Sequence, residues 1–227
     1  MTPFDLFDDG ARRPGGRLTG LAIGKVSNVD DPDELGRVRV TLPRISADAE
    51  STWARVMRPA AGASHGLHLP FEIGDEVVIA FVDGFAETPV ILGALWSAKQ
   101  PPLVGQAKRQ DQRTLTSRSG HTVRLDDTKD AERIEIVDAA GKNTLTFDTA
   151  KGEVTICAEN KIVVKAGKSV DIASPDAEVT ISCKALTVTA SDGVTLGGGA
   201  IALESDDAVT INGPSGVNIN DGALEVT

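Results

Sequence analysis

From Val154 onward the chain repeats one unit: two apolar residues separated by a single position, then a small, polar, turn-prone segment. The pairs are Val154/Ile156, Ile162/Val164, Val170/Ile172, Val179/Ile181, Leu186/Val188, Val194/Leu196, Ile201/Leu203, Val209/Ile211, Val217/Ile219 and Leu224/Val226. Their spacings are 8, 8, 9, 7, 8, 7, 8, 8 and 7 residues, so ten units succeed one another with hardly any drift. Alternation within a pair is that of a short β-strand with one face turned to a core, and the Gly, Asp, Asn, Ser and Lys between pairs turn the chain. A lone strand with two inward side chains cannot bury them, so each unit needs cover from other strands.

Two arrangements supply that cover. A one-chain β-helix forms parallel rungs on itself with about three strands per coil, and it remains open. No Phe, Trp or Tyr follows Phe147, and the inward set is entirely Val, Ile and Leu, which suits a core too narrow for rings. A thin prism of three intertwined chains has that geometry. Each chain then visits every face in turn, its strand edges are paired by the other two chains, and trimerisation becomes obligatory for folding. About 24 residues would rise by roughly 14 Å, giving a needle of about 45 Å. Cys157 and Cys183 would be about 14 Å apart along the axis, beyond disulfide reach, and are expected as reduced thiols.

The preceding sequence has a different texture. Leu21 to Val26, Gly36 to Leu42, Trp53 to Met57, Glu76 to Val82 and Val90 to Trp96 alternate in period two, divided by Asp30-Asp31-Pro32, Pro43, a loop from Pro59 to Pro70, and Asp83-Gly84. Five such strands suit a small Greek-key barrel of the OB type over residues 18–97. Residues 98–113, with Pro101-Pro102, read as a linker, and 114–152 as a β neck with strands at Thr122 to Leu125, Arg133 to Val137 and Asn143 to Phe147. Residues 1–17 lack the composition for a core of their own, and Phe4, Leu6 and Phe7 mark a docking arm. The fold class expected is all-β, an OB barrel followed by a trimeric triple-stranded β-helix over 153–227.

Composition narrows the function classes. Formal net charge is −10, which repels nucleic acid and anionic membranes at long range. Residues 18–97 hold six Lys or Arg against eleven Asp or Glu, and Trp53, Phe71, Phe81 and Trp96 fall in alternation that reads as core, so an OB nucleic-acid binder is the weaker alternative. A polysaccharide-cleaving tail spike would need paired carboxylates. The adjacent pairs Asp126-Asp127 and Asp206-Asp207 fall in turns, where neighbours point apart. His65 and His68, with Glu72 or Asp75, have the spacing of a loop zinc site, but ordinary loop histidines explain them. No cofactor or metal is expected, no signal peptide or membrane span is read, and a cytoplasmic site of synthesis follows.

Several segments resemble the baseplate assembly protein V and VgrG family, the spikes of contractile phage tails and of type VI or extracellular injection systems. They are Gly36-Arg37-Val38-Arg39-Val40, Trp53-Ala54-Arg55-Val56, Leu69-Pro70 with Ile73-Gly74-Asp75-Glu76-Val77, and Pro89-Val90-Ile91-Leu92-Gly93-Ala94-Leu95-Trp96 in the barrel. Ser119-Gly120-His121-Thr122 and Asp126-Asp127 resemble the family's neck, and the eight-residue repeat its triple-stranded needle. The resemblance implies a homotrimeric central spike, without enzymatic activity, that pierces a target envelope mechanically. VgrG proteins begin with hub domains that this sequence lacks, so a separate baseplate hub protein is implied. No lysozyme domain fits after the barrel, and no His-x-His iron motif lies near the carboxy-terminal end. A PAAR-type tip protein is therefore the expected cap, on a spike assembled in the cytoplasm as part of a virion baseplate or injection particle.

Overall fold

A computed structural model describes residues 18, 20–44 and 50–217 of the chain. It separates into two units, dividing after Val163. The described residues are all-β: ten strands, with only short 3-10 turns at Val82–Gly84 and Gln106–Lys108. No described helix is long and apolar enough to cross a membrane.

The first five strands are β1 (Leu21–Asn28), β2 (Arg39–Thr41), β3 (Arg55–Val56), β4 (Glu76–Phe81) and β5 (Pro89–Leu95). They are ordered β2-β1-β4-β5-β3, antiparallel except where β3 runs parallel to β5. An antiparallel bridge between Val38 and Ala54, beside the two edge strands, closes the sheet into a barrel. Alternation decides what lies inside. Val77 and Ile79 on β4 and Ile91 on β5 are fully buried with Val26, Val40 and Ala54, while Phe71 and Phe81 pack against this cluster. Register shifts at Val26/Asn28 and Val78/Ile79 bend the strands where the barrel curves. Within β1, Gly24 permits a close approach: a Cβ there would lie 2.6 Å from the Thr41 carbonyl oxygen.

One aromatic departs from expectation. Trp96 is 61% exposed, because β5 makes its last pairing at Leu95 and the indole falls beyond the barrel. Trp53 is partly buried beneath Arg37 and Arg39, which approach its ring at 5.9 and 4.9 Å.

The next five strands form an antiparallel meander: β6 (Gln112–Thr116), β7 (Thr122–Asp126), β8 (Arg133–Val137), β9 (Thr144–Asp148) and β10 (Glu153–Cys157), in spatial order β10-β9-β8-β7-β6. Gly120, Gly141 and Gly152 take positive φ in the intervening turns. The first strand starts inside the segment read as a linker. The last contains the first apolar pair of the repeat, so Val154 and Ile156 pair antiparallel with Phe147 and Leu145.

Candidate functional site

Register in the meander sorts residues cleanly by face. One apolar row runs Leu115, Val123, Ile136, Leu145, Ile156, and the next runs Arg113, Leu125, Ile134, Phe147, Val154. The other face carries the rows Gln112, Asp126, Arg133, Asp148, Glu153 and Thr114, Arg124, Glu135, Thr146, Thr155. An ordinary one-sided sheet buries its apolar face; here that face is open within the chain. Ile136, Phe147 and Val154 are 49%, 39% and 60% exposed.

The polar face pairs most of its charges within itself, although Arg124 Nε and Arg133 Nε are buried without a hydrogen-bond partner. Asp126, 2% exposed, accepts hydrogen bonds from the Thr128 hydroxyl and backbone N–H and from Gln112 Nε2, with Arg133 3.8 Å away. The Thr128 hydroxyl is the chief reason its carboxyl is held down at about 2; Gln112 and Arg133 act in the same direction, and burial opposes them. Arg124 and Arg133 both reach Glu135, at 3.2 Å.

After β10 the periodic series continues without any strand hydrogen-bonded within the chain, among the described residues. Ile162, Val164, Val170, Ile172, Val179, Ile181, Leu186, Val188, Val194, Leu196, Ile201, Leu203, Val209, Ile211 and Val217 are all exposed, from 50% at Val217 to 79% at Ile172. Within the chain, these residues therefore have neither backbone ladder nor side-chain cover. Ile219, Leu224 and Val226 lie outside the described residues, as do Phe4, Leu6 and Phe7 of the docking arm. Cys157 and Cys183 are exposed free thiols.

Of the residues considered for chemistry, Glu72, Asp75, Asp126 and Asp127 are engaged in other contacts. His65 sits in a tight turn in which Gly62 N–H donates to its carbonyl. The Glu72 carboxylate faces Arg118 at 3.1 Å, and Asp75 accepts from Glu72 N–H. Among the described residues no three His, Cys, Asp or Glu side chains gather into a possible metal site. Asp126 and Asp127 diverge: Asp126 enters the buried network and Asp127 pairs with Arg113 on the surface. A carboxyl held near 2 stays ionised and makes a poor general acid. Asp206 and Asp207 are exposed. Near Trp53, Arg37 is paired with Asp31 and Asp33, and Arg39 with Glu50, so carboxylates already occupy the cations that a nucleic-acid groove would offer.

Residues 22–96, the closed barrel, match the type VI secretion system/phage-baseplate injector OB domain. The barrel is an injector OB domain of the baseplate V type. The chain's similarity extends past the injector OB domain. It is 28% identical over 134 residues to the type VI secretion system spike protein VgrG1a of Pseudomonas aeruginosa, covering 53% of this chain and 21% of that protein. It is 28% identical over 145 residues to the actin cross-linking toxin VgrG1 and to the type VI secretion system spike protein VgrG3 of Vibrio cholerae. These matches cover 62% of this chain but 12% and 13% of the relatives. The chain thus spans about a fifth or less of the curated relatives it matches. The barrel strands were foreseen from sequence, whereas the apolar face of the meander was not singled out. Its signal was the period-two alternation of β7, β8 and β9.

Proposed function

We propose that this chain is the central spike of a contractile tail or injection machine, a homotrimer whose needle pierces a target envelope mechanically. One observation carries the reading: from 158 to 217 the apolar pairs are exposed and no strand is paired within the chain, among the described residues. Such a segment cannot be stable alone in water, and copies of itself offer strands of the same period to pair with. An injector OB domain at residues 22–96, upstream of the meander, supports the setting. Three chains wound together would resist local opening, since freeing one strand breaks ladders on both neighbours. Stiffness along the axis is the activity, with no chemical step.

On this reading the barrel receives load from a separate hub protein, with Phe4, Leu6 and Phe7 as docking contacts, and a PAAR-type protein caps the needle. Assembly takes place in the cytoplasm, before incorporation into the particle. Light scattering on the purified chain is the test: a mass of about 71 kDa, three times 23.7 kDa, that survives detergent without heating is expected. A stable monomer would reject the proposal. The competing tail-spike hydrolase predicts release of reducing sugar from a host envelope, lost on changing one carboxylate; the spike releases none.

A further inference from the structure

We infer that the outer apolar face of the barrel takes the chain's own arm, with Phe4, Leu6 and Phe7, which lie outside the described residues, laid across β1 and β4. The inference goes beyond the spike reading and does not rest on the number of copies. A hub that engages those three residues would first draw them off this face.

The barrel carries an apolar surface besides its core. Register sets Leu21, Ala80 and Val90 in one outward row, and Ile23, Val78 and Gly93 in the next. Leu21 and Ile23 are 61% and 46% exposed, whereas their neighbours Ala22 and Gly24 turn inward. Contiguous apolar surface of this kind marks a binding face. Two observations name the occupant. The first is where the arm joins: Leu18 N–H donates to the Gly84 carbonyl at 2.8 Å, only three residues before Leu21. Gly20, at φ 94°, gives the chain a turn between arm and strand. Leu6 lies twelve residues before Leu18, a span of up to about 40 Å, so the arm can fold back over the rows. The second is charge. Arg55, in register with Val90, and Lys25, two residues beyond Ile23, are exposed at the margins of the patch, and among the described residues neither forms an ion pair. In the arm, Phe4, Leu6 and Phe7 are interleaved and followed by Asp5, Asp8 and Asp9, with no basic side chain before Arg12. Apolar residues set among acids thus meet an apolar patch edged by cations.

Site-directed oxidation of the full chain tests this, in a background carrying Cys157→Ser and Cys183→Ser. Leu6→Cys with Ile23→Cys should close an intrachain disulfide under mild oxidation, read as loss of both thiols with a single-chain band on a denaturing, non-reducing gel. Leu6→Cys with Glu87→Cys, in the turn between β4 and β5 and off the outward rows, should close about tenfold more slowly, at the rate set by a flexible tether alone. Lys25→Glu combined with Arg55→Glu should slow the Leu6/Ile23 closure, as should high salt. Leu21→Cys, on the neighbouring row, replaces Ile23→Cys should the latter lower the melting temperature. Equal rates for the two pairs, linked dimers in place of the intrachain closure, or a closure indifferent to charge reversal and salt would overturn the proposal.

Discussion

Val38 and Ala54 exchange both backbone hydrogen bonds, Val38 N–H to the Ala54 carbonyl at 3.1 Å and Ala54 N–H to the Val38 carbonyl at 2.8 Å. This pair is the seam of the barrel. Proline at position 38 removes one donor and buries an unsatisfied carbonyl partner. Val38→Pro should cost about 1–3 kcal/mol and open the barrel locally, seen as faster amide exchange in β2 and β3 than in β4.

Gly24 tests packing rather than hydrogen bonding. A methyl group there meets the Thr41 carbonyl oxygen at 2.6 Å and Ile79 Cδ1 at 2.8 Å, and the backbone oxygen cannot rotate away. Gly24→Ala should therefore destabilise the barrel by about 1–3 kcal/mol. The check is the denaturation midpoint: unchanged stability would mean that β1 and β2 can separate freely.

The buried Asp126 makes stability depend on pH in a defined direction. Its carboxyl titrates at about 2 in the folded chain against an ordinary 3.8, so its stabilisation is fully present above about pH 4 and is lost as pH falls toward 2. Asp126→Asn should lower the melting temperature at pH 7 by roughly 5 °C, and the gap to the parent should close near pH 2. A gap that stays constant over that range would show that the carboxylate charge is not what stabilises the turn at Thr128.

Neighbouring positions in the repeat should behave oppositely. On the proposed three-chain reading Ile211 is an inward member of its pair, so Ile211→Asp would bury three unpaired charges at one level of the needle, whereas Thr210→Asp would face water. Light scattering should find Ile211→Asp largely dissociated and Thr210→Asp trimeric. Equal assembly by both would show that the inward register is wrong.

How far the sequence carried depends on where each residue's partner lies. Glu76–Phe81 could be read as a strand because Val77 and Ile79 alternate against a core made by the same barrel. At the barrel's edges the reading was too long. Gly36 to Leu42 shrinks to Arg39–Thr41, and Trp53 to Met57 to Arg55–Val56, since at this corner Val38 and Ala54 meet as a single bridge. Gln112–Thr116 escaped notice because Leu115 is its only apolar residue and its pairing comes from β7. Asp126 and Asp127 are adjacent in sequence, yet the strand pleat sends one into a buried network and the other to Arg113. The periodic pairs were plain in the sequence because one spacing of seven to nine residues recurs through the segment.

On the proposed three-chain reading, that period poses a difficulty which the meander would resolve. Units of seven to nine residues with interchangeable Val, Ile and Leu give neighbouring chains no marker of their correct stagger, and a slip by one whole unit would sacrifice only the terminal pairs. The five strands of the meander are not interchangeable: Phe147 has no counterpart later in the chain, and Asp126 has a single set of partners. Joined to the first pair through β10, they would give intertwined chains a common origin from which every later rung is counted. Three chains begun in step there would remain in step to the far end.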